Sequence, residues 1–366
     1  MKKIGHFLLK MMMGVNGIAI ALMLLSGYSD HIDPERFPLL ACMGLVFPFL
    51  LLANLAFLVF WVFVCWRKMW LPLAGLALAC VPISIFIPLN SPQQPAENSL
   101  KVISYNVHAF SGMVWGQDIF DSVFHYICRQ QPDIVCLQEG HDSWRHSERK
   151  FAEIFAYNDS VRISTNARKS INSIQLHSRY PILRKERIPV SSDTEMNGAA
   201  AFYLDYEGDT LLVVGCHLEN VHLDTKDRRK YKVILKGEMQ RDTARSESRL
   251  LVEKLSGAFA VRARQAKEIR DYIGQHAHGH PVIVCGDFND TPISYVRRHL
   301  CGGMADVFVE CGRGLGLSYN QKGFNFRIDH LFCSDHFVPQ YCIIDAKMGP
   351  SDHYPLVCWL KKRDKP

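Results

Sequence analysis

Charge is nearly missing from the first ninety or so residues of this 366-residue chain. That absence excludes an ordinary soluble domain there, and whole-chain averages describe neither half. No Ala-x-Ala-like cleavage site precedes Asp30, so the first apolar run reads as a retained helix rather than a signal peptide. Internal repeats and low-complexity tracts are absent too, which sets aside solenoid and disordered architectures. Nor is there a strong charge of one sign. The 42 basic and 36 acidic residues leave a net charge of +6, too little to specify a polyanionic partner. His276, His278 and His280 have no cysteine at ligand spacing, so they mark an exposed loop rather than a zinc site.

What the N-terminal region does contain is three uncharged apolar runs, residues 11–28, 37–66 and 69–89. Each is close to or longer than the ~20 residues that cross a bilayer as a helix. A backbone in hydrocarbon must satisfy its own hydrogen bonds, so runs of this kind are expected to be helical. A lipid bilayer is therefore the partner expected of this region, and nothing in the sequence marks a protein partner. Trp61, Trp66 and Trp70 flank the second turn, where amphipathic rings favour the membrane interface. Lys2, Lys3 and Lys10 hold the N-terminus in the cytoplasm, while Asp30, Asp33 and Glu35 against Arg36 alone let the first loop face outward. Arg67 and Lys68 return the chain. Three crossings then leave everything after Asn90 in a periplasmic or extracellular space, as in an integral protein of a bacterial inner membrane. The nine cysteines beyond this region pull the other way, because exported domains tend to pair theirs. Cys136, Cys216, Cys285, Cys333 and Cys358 nevertheless sit in short apolar runs and read as small buried hydrophobes.

The expected organisation is a three-helix region over residues 1–90, a polar proline-containing linker over 91–99, and one large domain over 100–366. Strands are expected at Leu100–Val107, Ile134–Gln138, Ser173–His177, Ala200–Tyr206, Thr210–His217, Val282–Asp287, Ile328–Cys333 and Pro355–Leu360. Gly208 supplies the turn of a hairpin around Tyr206–Asp209. Helices are expected between Gln117 and Gln130, across Ala244–Leu255 and across Val261–Gln275. In the last of these, Ala266, Ile269 and Ile273 form one face while Arg262, Arg264, Lys267, Glu268 and Arg270 occupy others. Between His217 and Gly286 a basic cluster of Arg228, Arg229, Lys230, Lys232 and Lys236, with Tyr231 the one interleaved aromatic, is diluted by acidic residues and reads as a solvated face.

Polar side chains recur where the strands end: Asn106, Glu139, His217, Asp287 with Asn289, Asp329 with His330, and Ser351-Asp352-His353. One buried carboxylate or histidine at a strand end is usually a satisfied cap. Six such termini with matching chemistry imply a shared site, because each group is costly to bury unless paired, hydrated or metal-bound. Oxygen-rich ligands of this type suit Mg²⁺ or Mn²⁺.

These motifs resemble those of the endonuclease/exonuclease/phosphatase superfamily. The matching stretches are Ile-Ser-Tyr-Asn106-Val, Asp-Ile-Val-Cys-Leu-Gln-Glu139, His-Ser-Arg-Tyr-Pro-Ile182, His217-Leu, Gly-Asp287-Phe-Asn289, Arg-Ile-Asp329-His and Ser-Asp352-His353, in the family's order. The resemblance implies an α/β (α+β) four-layer sandwich: two packed β-sheets flanked by helices, here preceded by three transmembrane helices. It implies Glu139 as the principal metal ligand, with Asn106 and Asp352 in the same shell and Mg²⁺ or Mn²⁺ as cofactor. Asp287 would orient or deprotonate the attacking water, and Asn289 would hold that water or the phosphate. His353 would contact the scissile phosphate, with Asp329 fixing its tautomer. His217 would contact phosphate or assist the leaving group, and Asn220 lies near a phosphate-contact position. Gln175 and His177 depart from the family's usual apolar or small residues.

The activity implied is metal-dependent hydrolysis of phosphodiesters, endonuclease-like in its motifs. The alternatives are a phospholipid or sphingomyelin phosphodiesterase or phosphoinositide-type phosphatase at the membrane and, from another class, an inactive membrane scaffold. The partner expected of the site is thus a phosphodiester, either nucleic acid or phospholipid.

Overall fold

The structure, a computed structural model, describes residues 2–113, 117–140, 144–164, 172–221, 229–230, 233, 240–321 and 324–363. Arg228, Tyr231, Lys232 and Lys236 of the basic cluster lie outside the described residues.

The chain opens with α1 (Lys2–Gly27), a short α2 (Pro38–Ala41), α3 (Phe47–Val64), α4 (Trp70–Leu78) and α5 (Cys80–Phe86). His6–Gly27 and Pro38–Val64 are each long and apolar enough to cross a membrane. The third apolar run is not one straight helix as expected, but a pair bent by 62° at Ala79. Pro82 explains the bend, since it cannot donate to the Leu78 carbonyl and its ring crowds that turn. The Tyr28 hydroxyl donates to this carbonyl instead, at 2.7 Å.

Inside this helical unit Asn16, Asn54 and Trp61 are fully buried. Trp61 Nε1 donates to Asn16 Oδ1 at 3.0 Å, and Asn54 Nδ2 donates to the Ala19 carbonyl at 3.1 Å. Trp61 is thus a polar tie between helices rather than an interfacial ring, which corrects the sequence expectation. Trp66 and Trp70 stay exposed. Between apolar helices in a bilayer such hydrogen bonds would contribute, because lipid offers no hydrophobic drive of its own.

The rest of the chain builds two six-stranded sheets. The first contains β1 (Leu100–Asn106), β2 (Ile134–Gly140), β3 (Tyr157–Arg162), β4 (Ser173–Ser178), β13 (Phe337–Ile344) and β14 (Leu356–Lys362), in the order β13-β14-β1-β2-β4-β3. The second contains β5 (Ile182–Ile188), β6 (Gly198–Tyr206), β7 (Asp209–His217), β8 (Val282–Asp287), β9 (Ala305–Asp306) and β12 (Asp329–Cys333), in the order β5-β6-β7-β8-β12-β9. A small hairpin, β10 (Tyr319–Gln321) and β11 (Phe324–Phe326), stands apart. Each large sheet has one parallel pair at its centre, β1 with β2 and β7 with β8. Parallel neighbours end side by side. That places four strand C-termini in two adjacent pairs.

Period-two alternation sorts the side chains into layers. Val102, Cys136, Val213, Ile283 and Leu331 face the core between the sheets. Ile103, Tyr105, Val135 and Leu137 point outward under α6 (Phe120–Gln130) and α7 (Trp144–Phe151). Leu212, Val214, Val284 and Phe332 point the other way, beneath α8 (Arg241–His276) and α9 (Tyr295–Cys301). This is the expected four-layer sandwich. A last short helix, α10 (Val307–Cys311), follows β9. The hairpin between β6 and β7 turns through Glu207 and Gly208, both with positive φ (55° and 78°), the geometry that matches strand twist.

Two expectations change. The helices expected across Ala244–Leu255 and Val261–Gln275 are one continuous helix, α8. Gly257 at the joint has open space around its Cα and does not break it. Arg262, expected on a polar face of that helix, is 1% exposed. All twelve cysteines are free.

The helical unit is seated on the sandwich. Lys267 of α8 pairs with Asp33 at 2.7 Å and Glu35 at 2.6 Å, and Arg264 pairs with Glu35 at 3.1 Å. Ile293 packs with Met23, Phe47, Leu51 and Ala79. Asn90 Nδ2 donates to the carbonyls of Val309 and Gly312, at 2.8 and 2.9 Å. The first loop and the exit of the third apolar run therefore meet the same body.

Candidate active site

Backbone pairing brings the expected residues together before any side-chain contact is considered. In the parallel pairs, Asn106 aligns with Gln138 beside Glu139, and His217 aligns with Asp287. Antiparallel β12 places Asp329 against Asp287. Two local devices set the aim. Pairing between β2 and β4 slips between Leu137 and Gly140, and Glu139 adopts φ 56°, so a bulge swings its carboxylate out of the sheet. Gly286 has φ +139°, and a Cβ there would lie 2.0 Å from the Cys216 carbonyl oxygen. Only glycine lets β7 and β8 approach so closely beside His217 and Asp287.

The cluster that results is compact. Asn106 Nδ2 donates to Glu139 Oε1 at 2.9 Å and to Asp287 Oδ2 at 3.0 Å, while its Oδ1 accepts from the His108 N–H. Asn106 therefore holds two carboxylates together. His217 Nε2 lies 3.4 Å from Glu139 and 3.9 Å from Asp287. His353 Nδ1 is 2.8 Å from Asp329 Oδ2, and its Nε2 is 3.6 Å from Asp287. The Asn289 N–H donates to Asp287 Oδ1 at 2.8 Å, and its side chain donates to the Leu218 carbonyl. Asp287 is thus held through both oxygens, Oδ1 by the Asn289 N–H and Oδ2 by Asn106, with Oδ2 turned toward the two histidines.

Residues 103–353 match the endonuclease/exonuclease/phosphatase family. The chain belongs to that family. As a member it is a hydrolase acting on phosphoester bonds. Residues 9–86 match a separate family described as a domain of unknown function. No curated protein sequence matches the chain. The human Nocturnin catalytic domain with bound sulfate is similar, with TM-score 0.53 at 16% identity over 74% of this chain and 95% of that one. A family member from Beutenbergia cavernae gives 0.52 at 16% identity, covering 72% of each chain. One from Bacteroides thetaiotaomicron gives 0.51 at 17% identity, covering 73% of this chain and 98% of that one. At such identities these likenesses establish the fold.

Two expected residues remain, Asp352 and Asn220. Asp352 is not among the groups that converge on Asp287, and its Oδ1 lies 3.9 Å from His108 Nδ1. Asn220 is half-buried just after Glu219, three residues beyond His217. Three residues of the site carried no motif signal. His108 stands between Asp352 and Glu139 and helps hold the Glu139 carboxylate ionised. Asn172 and Asn197 flank His217. Asn172 Nδ2 lies 2.9 Å from His217 Nδ1 and also donates to the Met196 carbonyl, so it orients the ring. The Nε2 edge then faces Glu139 and the cluster. Asn197 Nδ2 is tied to the Leu218 carbonyl at 3.0 Å and packs against the same ring.

Electrostatics divides the family's acids into two kinds. Burial opposes ionisation of Glu139, but His217, the Asn106 amide, His108 and His353 together hold it below the usual range. Burial dominates at Asp287 and pushes it up to about 6, with Asp329 adding to the rise and His353 opposing it. Burial likewise works against a charged His353, yet Asp329 and Asp287 outweigh it and hold the imidazolium to about 10.

A divalent cation fits the carboxylates of this cluster, since a protonated His353 has no lone pair to offer. One ligand atom from each of Glu139, His217 and Asp287 lies within 4.8 Å of the others, and the same holds for Asp287, Asp329 and His353. Asp329 Oδ1 is buried without a hydrogen-bond partner. Crowded carboxylates with spare lone pairs are what a hard cation neutralises.

Proposed function

We propose that this chain is a membrane-anchored phosphodiesterase dependent on Mg²⁺ or Mn²⁺. The observation that carries the reading is the convergence of Glu139, Asp287 and Asp329 with His217 and His353 at buried strand ends. Glu139 and Asp287 would hold the cation, which supplies charge stabilisation to the pentavalent transition state when bound. Asn106 keeps those two carboxylates in register. Asp287, raised by burial, accepts a proton from the attacking water, and the Asn289 N–H on its Oδ1 keeps the carboxylate aimed. His353, protonated and oriented by Asp329, donates from Nε2 to a non-bridging phosphate oxygen. His217 serves a second phosphate oxygen or the leaving group through its Nε2 edge. Such general acid–base help is worth ~10²–10⁴-fold.

The endonuclease-like expectation rests on His217 and the Gly-Asp-Phe-Asn motif. The apolar runs support insertion in a bilayer, with the hydrolase domain outside the cytoplasm by the distribution of basic residues. The test is hydrolysis of bis(4-nitrophenyl) phosphate and plasmid DNA by the detergent-solubilised full chain. Turnover should need added Mg²⁺ or Mn²⁺ and vanish with chelator. No turnover of any diester, with the fold intact, would instead favour the scaffold reading.

A further inference from the structure

Residues 312–321 and 324–328 lie between the exit of the third apolar run and the catalytic cluster. At one end the Gly314 N–H donates to the Pro88 carbonyl at 2.8 Å, Leu89 bridges to Arg313, and the Arg327 guanidinium donates to the Ile85 carbonyl. At the other end the Tyr319 ring lies 5.0 Å from the His353 ring, and the Asn320 N–H donates to the Asp352 carbonyl at 2.7 Å. One stretch of chain thus meets the exit of the third apolar run at one end and the site at the other.

Beside this segment, between it and β13, lies a cavity of about 560 Å³. Its walls include Leu315, Leu317, Tyr319, Ile343, Ile344 and Tyr354, and Asn90 and Pro92 stand at its membrane side. That volume falls in the ~300–1,000 Å³ range of ligand pockets. Large apolar side chains are left open here: Leu315 is 44% exposed, Ile343 38% and Leu317 37%, and Leu89 beside them is 77% exposed. Scattered exposed leucines need no explanation, but a group adjoining the exit of an apolar run marks a surface built to meet apolar matter. Tyr319 is a wall of the cavity and a neighbour of His353 at once.

Resting on the phosphodiesterase reading, we propose that this cavity receives an acyl chain of a bilayer glycerophospholipid, whose headgroup phosphodiester is thereby presented to the His353 cluster. Filling the cavity from the bilayer removes its apolar walls from water while the chain itself leaves one apolar medium for another. Arg313, at the rim, stands where an anionic headgroup would pass. In the reaction a water oxygen bonds to phosphorus, one ester oxygen departs and takes a proton, and a phosphomonoester and an alcohol result.

Two measurements test this on the full chain in vesicles of phosphatidylglycerol and phosphatidylethanolamine. The first is photo-crosslinking with phosphatidylglycerol carrying a diazirine in its acyl chain, followed by peptide mapping in the wild type and His353→Ala. Adducts on residues 313–319 and 341–346, in both proteins, are expected. The second compares vesicle phospholipid with bis(4-nitrophenyl) phosphate for Ile343→Gln and Leu315→Gln, neither of which lies in the catalytic cluster. A roughly tenfold or greater fall in kcat/KM on phospholipid is expected, with the soluble diester unaffected. Adducts confined to residues 11–28, 37–66 and 69–89 would overturn the proposal. So would equal losses on both substrates, or a wild type that cuts plasmid DNA and leaves phospholipid intact. Cavity adducts without turnover of any diester would uphold the lipid site and overturn the hydrolytic reading instead.

Discussion

Two buried histidines in this molecule end in opposite states. His353, at the strand-end cluster, is 4% exposed and held to about 10, whereas His177, in the first sheet under α7, is fully buried and driven down to about 3. Burial works against charge in both. The difference lies in the partners. His353 faces the carboxylates of Asp329 and Asp287, while His177 stacks on Phe151 with ring centroids 4.0 Å apart and meets the neutral Asn158 Oδ1 at 2.7 Å. Burial alone makes a histidine a packing residue; burial against carboxylates makes it a charged tool.

The largest way to break that contrast is to remove the tools. Glu139→Ala and His353→Ala should each lower turnover by ~10³-fold, within the range for general acid–base and charge-stabilising groups. Circular dichroism should show the fold retained, and turnover near wild type in either variant would sink the site assignment. Next comes a second buried pair, Arg262 of α8 with Asp290 just after Asn289, both 1% exposed. Arg262 also donates to the Glu219 carbonyl at 2.9 Å, so it braces the loops that carry Asn289 and Asn220. Arg262→Met leaves Asp290 buried and unpaired and should cost ~3–5 kcal/mol by denaturant unfolding. By contrast Lys267→Ala, at the partly exposed contact with Asp33 and Glu35, should cost under ~1 kcal/mol.

How much of this was legible in sequence follows the same division between strong and weak partners. Central strands such as β1, β7 and β8 are buried on both faces and announce themselves as apolar runs ending in a polar residue. Within the two large sheets, the strands that pattern did not reveal, β3, β5, β9 and β13, are the edges, and the small β10–β11 hairpin went unrevealed as well. An edge strand is half-solvated and is protected by charge or proline, as in Arg184-Lys185-Glu186 of β5 and Pro339 of β13. Its alternation is therefore faint. In the site, residues attached to a motif were visible, but the bulge that aims Glu139 depends on pairing with β4. Asn172 and Asn197 owe their place to tertiary contact with His217, and no local spacing encodes that. Arg262 was misjudged for a related reason: its charge suggests a solvent face, and only the Asp290 loop, 28 residues on, explains its burial.

Two smaller substitutions sharpen the histidine contrast. Asp329→Asn should lower turnover by ~10²-fold and move the alkaline limb of the pH profile from near 10 toward the ordinary histidine value, since the main carboxylate holding the His353 proton is gone. The folded-state pKa of His353 is raised, so its stabilising contribution is complete below about pH 6.5. It is lost as pH climbs through 10, and the variant should lack that alkaline loss. His177 has the reverse sign. Its folded pKa is depressed to about 3, so the unfolded chain takes up a proton first as pH falls below about 6.5, and stability drains away between those values. His177→Phe should remove this acid-side slope. The expected gain is about 1 kcal/mol near pH 5, set against the lost Asn158 hydrogen bond, so at pH 8 the variant should be no more stable than wild type. Unfolding midpoints of the two proteins at pH 5 and pH 8 check this. A variant with an unchanged acid slope would mean that His177 is protonated in the fold, and that stacking on Phe151 does not keep a buried histidine neutral.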